Sequence, residues 1–430
     1  MFDAVLRAFR LPDVRRKLVF TLGLLAVFRI VAHVPLPGVQ IENLRGLLER
    51  NQLLGMLDLF SGGSLTTFSI AALGVYPYIT AQIVMQVLAP VIPQLQDLQK
   101  EGEAGRMRVA QYTRLLAVPF SVLQAYAQGT LLAREGILEN FGLGGAGTLL
   151  PTVSMVLTLT AGTMFLVWLG ELITEKGVGN GMSLIIFAGI IARLPASIAQ
   201  SFASGIGVLS VVGLGLIGIA MVGAIIYINE GQRRIMVQYA KRIRGNRVFG
   251  GTSTYIPLRV NSSGMIPLIF AMSIMLIPGT IATYFTAAET DVVRNVATFI
   301  AEVFNSTGFV YWMLYFWLVV GFTYFYTAVV FQQQNLPETL QKQGGFIPGI
   351  RAGRPTADYL NRVLNRITLL GAVFLGVVAI APYLAGVIVR DQGVTTLSST
   401  GILIVVGVVL DTMKQLEAQL MMRQYEGFIR

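Results

Sequence analysis

Apolar residues in this chain gather in long blocks rather than in the amphipathic stripes of a soluble fold. Runs near the 20 or so residues a helix needs to cross a bilayer core centre on 18–34, 70–91, 112–133, 151–170, 182–200, 205–228, 264–285, 310–330, 368–389 and 401–413. Ten membrane-spanning helices are predicted. Arg193 interrupts the fifth run, and Asp411 arrives early in the tenth. Two polar blocks, 229–263 and 331–366, stand out as long and basic.

Composition narrows the class. Hydrophobic residues make up 54% of the 430, charged residues 13%, and the mean hydropathy is +0.67. An ordinary globular domain carries roughly 25% charged residues. So many apolar side chains cannot be buried in a water-soluble particle of this size, which excludes a set of soluble domains. The N-terminal segment 1–17 is amphipathic and ends in Arg15-Arg16-Lys17. No small-residue cleavage site follows the first run, which continues into Pro35-Leu36-Pro37-Gly38, so it reads as a retained span rather than a signal peptide. Cysteine is absent, and with it disulfides and thiolate metal sites. The single His33 excludes a His-rich metal cluster and reads as a packed or interfacial side chain.

Charge orients the chain. With a cytosolic N-terminus, roughly 25 of the 32 Lys and Arg fall on the cytosolic side and about 6 outside, as the positive-inside bias requires. Arg29 alone lies well inside a span, free to snorkel or to meet a partner subunit. Both termini are then cytosolic, with 414–430 a cytosolic tail. The cytosolic set is dominated by Arg233, Arg234, Lys241, Arg242, Arg244, Arg247 and Arg259 in one loop. Lys342, Arg351, Arg354, Arg362 and Arg366 lie in another. The net charge of +10 thus reflects orientation rather than nucleic-acid binding.

Deep in the spans there are no paired carboxylates, no nucleophile beside a base and no metal-ligand spacing; Glu171, Glu175 and Glu230 sit near span ends. Enzyme chemistry and cofactors are not expected. An ion-coupled small-molecule secondary transporter, the alternative reading, would want ionisable groups at that depth. Gly142-Leu143-Gly144-Gly145 lacks the Lys and Ser/Thr of a phosphate loop. Val75, Ile79 and Ile83 share a helical face beside Gly74 and Pro77, which bend the backbone. Ile266 and Ile269 flank Pro267, and Pro278 follows. This pattern fits ordinary helix packing or a hydrophobic constriction, which sheds water and resists ions. Asp58-Leu59-Phe60-Ser61-Gly62-Gly63-Ser64-Leu65-Thr66-Thr67-Phe68 is too polar to span, and is either a re-entrant element or an external loop. In Gly344-Gly345-Phe346-Ile347-Pro348-Gly349-Ile350-Arg351, Gly and Pro fix the backbone, two apolar side chains dock it, and one guanidinium is left to present. Something large is expected to bind there.

Five motifs, in order along the chain, carry a resemblance. They are Leu73–Gln86 (LGVYPYITAQIVMQ), Glu171–Ser183 (ELITEKGVGNGMS), Gln238–Arg242 with Tyr255-Ile256-Pro257, the 344–351 motif, and Gln424-Tyr425-Glu426-Gly427-Phe428. Together they resemble the bacterial SecY family of protein-conducting channels. The resemblance implies an all-α bundle of ten spans in two pseudo-symmetric halves, 18–200 and 205–413, around a pore. It implies a pore ring of Val75, Ile79, Ile83, Met182, Ile186, Ile269 and Ile404, and a plug helix within 58–68. A lateral gate would part the second and third spans from the seventh and eighth, with Gln86, Gln124 and Asn261 as polar contacts. Arg351, with Lys241, Arg242, Arg244 and Arg247, would dock the SecA motor or ribosomal RNA. The implied partners are the small membrane subunits SecE and SecG, SecA, the ribosome, signal-peptide-bearing polypeptides and lipid. Departures from the family pattern are Val75 and Met182 where isoleucine is common, Met236 and Ala352 where proline is, and the uncharged Gln332-Gln333-Gln334.

Overall fold

The computed structural model describes residues 11–427 apart from 41–42, 45, 48–57, 59–60, 139, 143–144, 204–207, 240–241, 245–246, 250–252, 286–289, 306–307, 335, 352 and 390–398. Each of the ten apolar runs contains a helix. These are α1 (Pro12–Val31), α2 (Tyr76–Leu88), α4 (Glu103–Arg134), α5 (Ala146–Lys176), α6 (Gly181–Ala203), α7 (Val208–Glu230), α8 (Ile266–Phe285), α10 (Phe309–Gln334), α12 (Arg354–Val389) and α13 (Ser399–Gly427). Three shorter helices, α3 (Pro93–Lys100), α9 (Asp291–Val303) and α11 (Leu336–Lys342), lie in the connections. By length and composition, the helices over 103–134, 147–176 and 354–381, and α10 from Phe309, are long and apolar enough to cross a membrane.

Helix ends differ from the apolar runs in instructive ways. The 36 residues of α12 extend about 54 Å, well beyond a hydrocarbon core of about 30 Å, so Arg354, Arg362 and Arg366 ride on a helix rather than in a loop. Likewise α13 carries straight through the tail expected at 414–430 as far as Gly427. The second run corrects the expectation most: its helix begins only at Tyr76, and 61–75 is a chain of turns. Pro77 sits in the first helical turn, where its missing N–H and fixed φ are tolerated, so it starts the helix instead of bending it. Pro267, the second residue of α8, is placed the same way.

Packing runs through neighbours. In the N-terminal part α2 packs on α4, α4 on α5, and α5 on α6 and α1; in the C-terminal part α8 and α12 pack on α10, and α7 and α12 on α13. The parts meet where α2 packs on α8 and α6 on α13. A large apolar core lies between them, fed by α1, α2, α5, α6, α7, α8, α10, α12 and α13.

The two basic blocks form strands that helical periodicity did not foresee. Strands β1 (Gln232–Tyr239) and β4 (Ser253–Arg259) pair antiparallel, Ile235 opposite Ile256. Strand β5 (Gly345–Phe346), from the other block, pairs antiparallel with the end of β1, giving the order β4-β1-β5. Between β1 and β4, β2 (Arg242–Arg244) and β3 (Arg247–Phe249) make a separate hairpin. Ile235, Val237, Leu258, Phe331, Leu340, Ile347, Leu360 and Leu364 close a second core under the larger sheet. The basic blocks are therefore one folded unit, continuous with α10 and α12.

Candidate functional site

The residues proposed for the pore ring come from four helices. Val75 and Ile79 and Ile83 belong to α2 and its N-cap, Ile186 to α6, Ile269 to α8 and Ile404 to α13. All six are buried in the same apolar core, and Met182 of α6 packs against it, beside Gly170 of α5. None offers a polar atom, so the assembly can exclude water but cannot bind an ion.

Directly against this core lies the segment 58–75. Ser61, Gly62, Ser64, Leu65, Phe68 and Ser69 are buried, which identifies it as an element folded into the protein rather than an external loop. Leu59 and Phe60 lie outside the described residues. The plug helix implied by the resemblance is not seen over the described residues 61–68, which form turns, with Gly62 at φ +72° and Phe68 at φ +42°. Irregular backbone of this kind survives at membrane depth only where protein satisfies its polar groups. Here Asp58 does so. Its carboxylate, 1% exposed, accepts from the Leu65 and Thr66 N–H groups at 2.9 and 3.0 Å and from the Thr66 hydroxyl at 2.6 Å.

Two arginines then tie the segment to the surrounding helices. Arg193 of α6 forms an ion pair with Asp58 and donates to Thr66 Oγ1 at 3.1 Å. Arg29 of α1 donates to the Gly62 carbonyl at 2.8 Å. The charge expected to snorkel or to meet another subunit is thus engaged within its own chain. Gly62 also touches Gly189 of α6: a Cβ on Gly189 would stand 2.4 Å from the Gly62 Cα. That close backbone approach, with the positive φ of Gly62, requires glycine on both sides. Sequence reasoning noticed Arg29 and Arg193 only as irregularities in apolar runs. The signal was their company: two charges at depth flanking a loop with one acid.

No hydrogen bond among the described residues joins the three polar residues assigned to the gate. Gln86 lies in the last turn of α2, Gln124 midway along α4, and Asn261 in the turn before α8. Asn261 donates to Asn229 Oδ1 at 2.8 Å and accepts from Ser263 at 3.2 Å. What crosses from α2 to α8 is a bond the sequence did not reveal: the Tyr76 hydroxyl donates to the Ser273 carbonyl at 2.9 Å. Gln86 Oε1 and Ser273 Oγ, on the same two helices, are buried with no hydrogen-bond partner among the described residues.

On the sheet face, Gly344–Arg351 is built as its composition implied. Gly344 and Gly349 adopt φ +71° and +83°, Phe346 joins the sheet, and Ile347 is buried in the apolar cluster beneath it. Ile350 N–H donates to Ile347 O at 3.0 Å, closing the turn. The Thr356 hydroxyl fixes the Arg351 carbonyl at 2.8 Å. The Arg351 side chain is exposed, and among the described residues no ion pair engages it. Arg242 and Arg244 lie on β2 and Arg247 on β3; Lys241 lies outside the described residues.

Comparison with known proteins places these features in a family. The SecY family profile matches residues 69–413. A protein translocase subunit SecY from Streptomyces coelicolor is 44% identical over 100% of both chains. The subunit of that name from Thermotoga maritima is 42% identical over 100% of this chain and 98% of its own. Among solved structures, one described as a protein conducting channel superposes with a TM-score of 0.59 at 17% identity, covering 94% of this chain and 91% of its own. A study of the SecY plug domain in the closed channel gives 0.61 at the same identity and coverage. With the profile covering most of the chain and full-length relatives above 40% identity, this protein belongs to the SecY family of protein translocase subunits.

Proposed function

We propose that the chain is the passive protein-conducting channel of the bacterial cytoplasmic membrane, with both termini cytosolic. It passes secretory polypeptides across the membrane and releases apolar segments sideways into lipid. The observation that carries this reading is the junction of two unlike parts. An ion-free apolar core drawn from α2, α6, α8 and α13 lies against a polar segment that Asp58, Arg193 and Arg29 hold in place. In the closed state the apolar ring sheds water and the segment 58–68 fills the path. Family membership displaces the alternative of an ion-coupled carrier.

Opening has two routes. Axially, a polypeptide displaces the plug by breaking the Asp58 and Arg29 contacts. Laterally, α2 parts from α8: among the described residues the Tyr76–Ser273 hydrogen bond is what joins them by polar contact, and Gln86 Oε1 and Ser273 Oγ, buried without a partner on these two helices, gain hydration when they separate. An apolar segment then partitions into the bilayer, since Leu, Ile, Phe and Val each favour it by about 0.3–0.6 kcal/mol at the helix centre. Two halves, 18–200 and 205–413, would move about that seam. Gln86, Gln124 and Asn261 are the proposed polar contacts of this gate.

With no phosphate loop in the sequence, the driving force comes from outside: the SecA motor or the ribosome, docked on Arg351 and the basic hairpin of β2 and β3. SecE and SecG are the proposed small subunits. Reconstitution with these partners in vesicles, with ATP and a signal-peptide-bearing precursor, tests the reading. Protease-protected precursor inside the vesicles is expected. Uptake of a small solute driven by an ion gradient, with no protected precursor, would overturn it.

A further inference from the structure

The connection between α8 and α10 contains a helix that neither the pore, the plug nor the docking face uses. Helix α9 has 13 residues, about 20 Å, too short to span. Its sequence, DVVRNVATFIAEV, separates completely by face. At 100° per residue, Val292, Val293, Val296, Ala297, Phe299, Ile300 and Val303 fall on one side, and Asp291, Arg294, Asn295, Thr298 and Glu302 on the other. Such segregation ordinarily buries the whole apolar arc in a protein core. Here only one edge is buried, at Ala297, where α9 packs on α8, and Phe304 just beyond the helix packs against the main apolar core. The other edge is open: Val292, Val296 and Phe299 are 70%, 53% and 66% exposed.

Topology places this open edge. Helix α8 leaves the sheet after β4, and α10 returns toward α11 and β5, so α9 caps the far end of the bundle. There its apolar edge continues the exposed apolar flanks of α8 (Ile281, Phe285) and α10 (Phe309, Met313). In a multi-spanning membrane protein those flanks are the surface that lipid covers. The polar arc cannot follow them into hydrocarbon: Asp291 and Arg294 pair with each other and both stay exposed.

We propose that α9 lies in the membrane–water boundary opposite the sheet. Its Val292–Val296–Phe299 edge enters the lipid leaflet and its Asp291–Arg294 face stays in water, as interfacial amphipathic helices do. The occupant of the open edge is therefore lipid, and α9 anchors the outer ends of α8 and α10, the helices beside the α2–α8 seam. The inference rests on the reading that α10 crosses the membrane.

The absence of cysteine makes the test direct. Single variants V296C, F299C, R294C and T298C of the full chain, with M313C on α10 as reference, are spin-labelled. They are then reconstituted in phosphatidylethanolamine–phosphatidylglycerol vesicles. Relaxation by lipid-soluble oxygen is compared with relaxation by a water-soluble nickel chelate. Oxygen is expected to dominate at 296, 299 and 313, and nickel at 294 and 298. Nickel access at 296 and 299 equal to that at 294, with 313 in lipid, would overturn the proposal. So would shielding of 296 and 299 from both reagents, the signature of a covering protein subunit. A water signature at 313 as well would overturn the crossing of α10, and this inference with it.

Discussion

The segment 58–68, proposed as the plug, and the Gly344–Arg351 loop are both irregular, glycine-rich stretches held in fixed shapes, yet they are held by opposite means. At membrane depth, 58–68 is tied by ionic and hydrogen-bonded contacts from Asp58, Arg193 and Arg29. At the aqueous face, 344–351 is tied by Ile347 in an apolar cluster and by a strand of two residues. The difference follows the surroundings. Inside an apolar medium, apolar contact discriminates little between one position and another, whereas a polar group without its partner is costly. In water the balance reverses: exposed ion pairs contribute about 0–1 kcal/mol, and burial of an Ile contributes more. In the proposed roles, a plug must leave and return to one place, so directional contacts suit it, and a docking loop must keep its charge free, so its own anchoring uses none.

The largest expected effect lies on the docking side. Arg351→Glu should reduce motor-driven transport by more than about tenfold, since like-charge juxtaposition at an interface costs several kcal/mol. Thermal stability should change by under about 0.5 kcal/mol, because the side chain is exposed. Transport at the unaltered rate would remove the loop from docking. Next come the two anchors, each expected to cost about 3 kcal/mol locally, with different consequences. Asp58→Ala strands Arg193 and frees two backbone N–H groups. Resting ion conductance in planar bilayers should rise, with motor binding unchanged. Ile347→Ala opens a cavity under the sheet. It should weaken motor binding and leave resting conductance alone. If both variants altered both readouts equally, the two regions would not be separately anchored. The smallest effect belongs to Gly349→Ala. A Cβ there meets nothing within 4 Å, so the cost is the left-handed φ alone, about 1–2 kcal/mol. Motor affinity should fall by no more than roughly tenfold; a complete loss would point to a contact through Gly349 itself.

The sequence was most informative where a single physical rule governs. Hydrocarbon thickness fixes span length, and a helix occupies each of the ten apolar runs. The glycines and proline of 344–351 announced a rigid turn for a similar reason, since few residues adopt φ near +80°. Other features depend on partners far apart in the chain. The pairing of Gln238 with Phe346 joins blocks more than a hundred residues apart, and neither block alternates cleanly enough to read as a strand. The Arg193–Asp58 and Tyr76–Ser273 contacts are equally non-local. Hydropathy also misreads turns that are buried in protein: 70–75 is apolar enough to extend the second span, although its backbone satisfies itself by other means. Gly74 at φ +58° marks where the turns give way to α2.

All of this depends on a polypeptide path through the apolar core. Photo-reactive side chains placed singly at Ile79 of α2 and Ile404 of α13, both buried in that core, test it against a precursor stalled midway by a folded C-terminal domain. A central path predicts that the stalled chain is captured from both positions, and from neither when the signal peptide is deleted. Capture from neither position while the precursor remains protease-protected would contradict it, because the chain would then be crossing somewhere else.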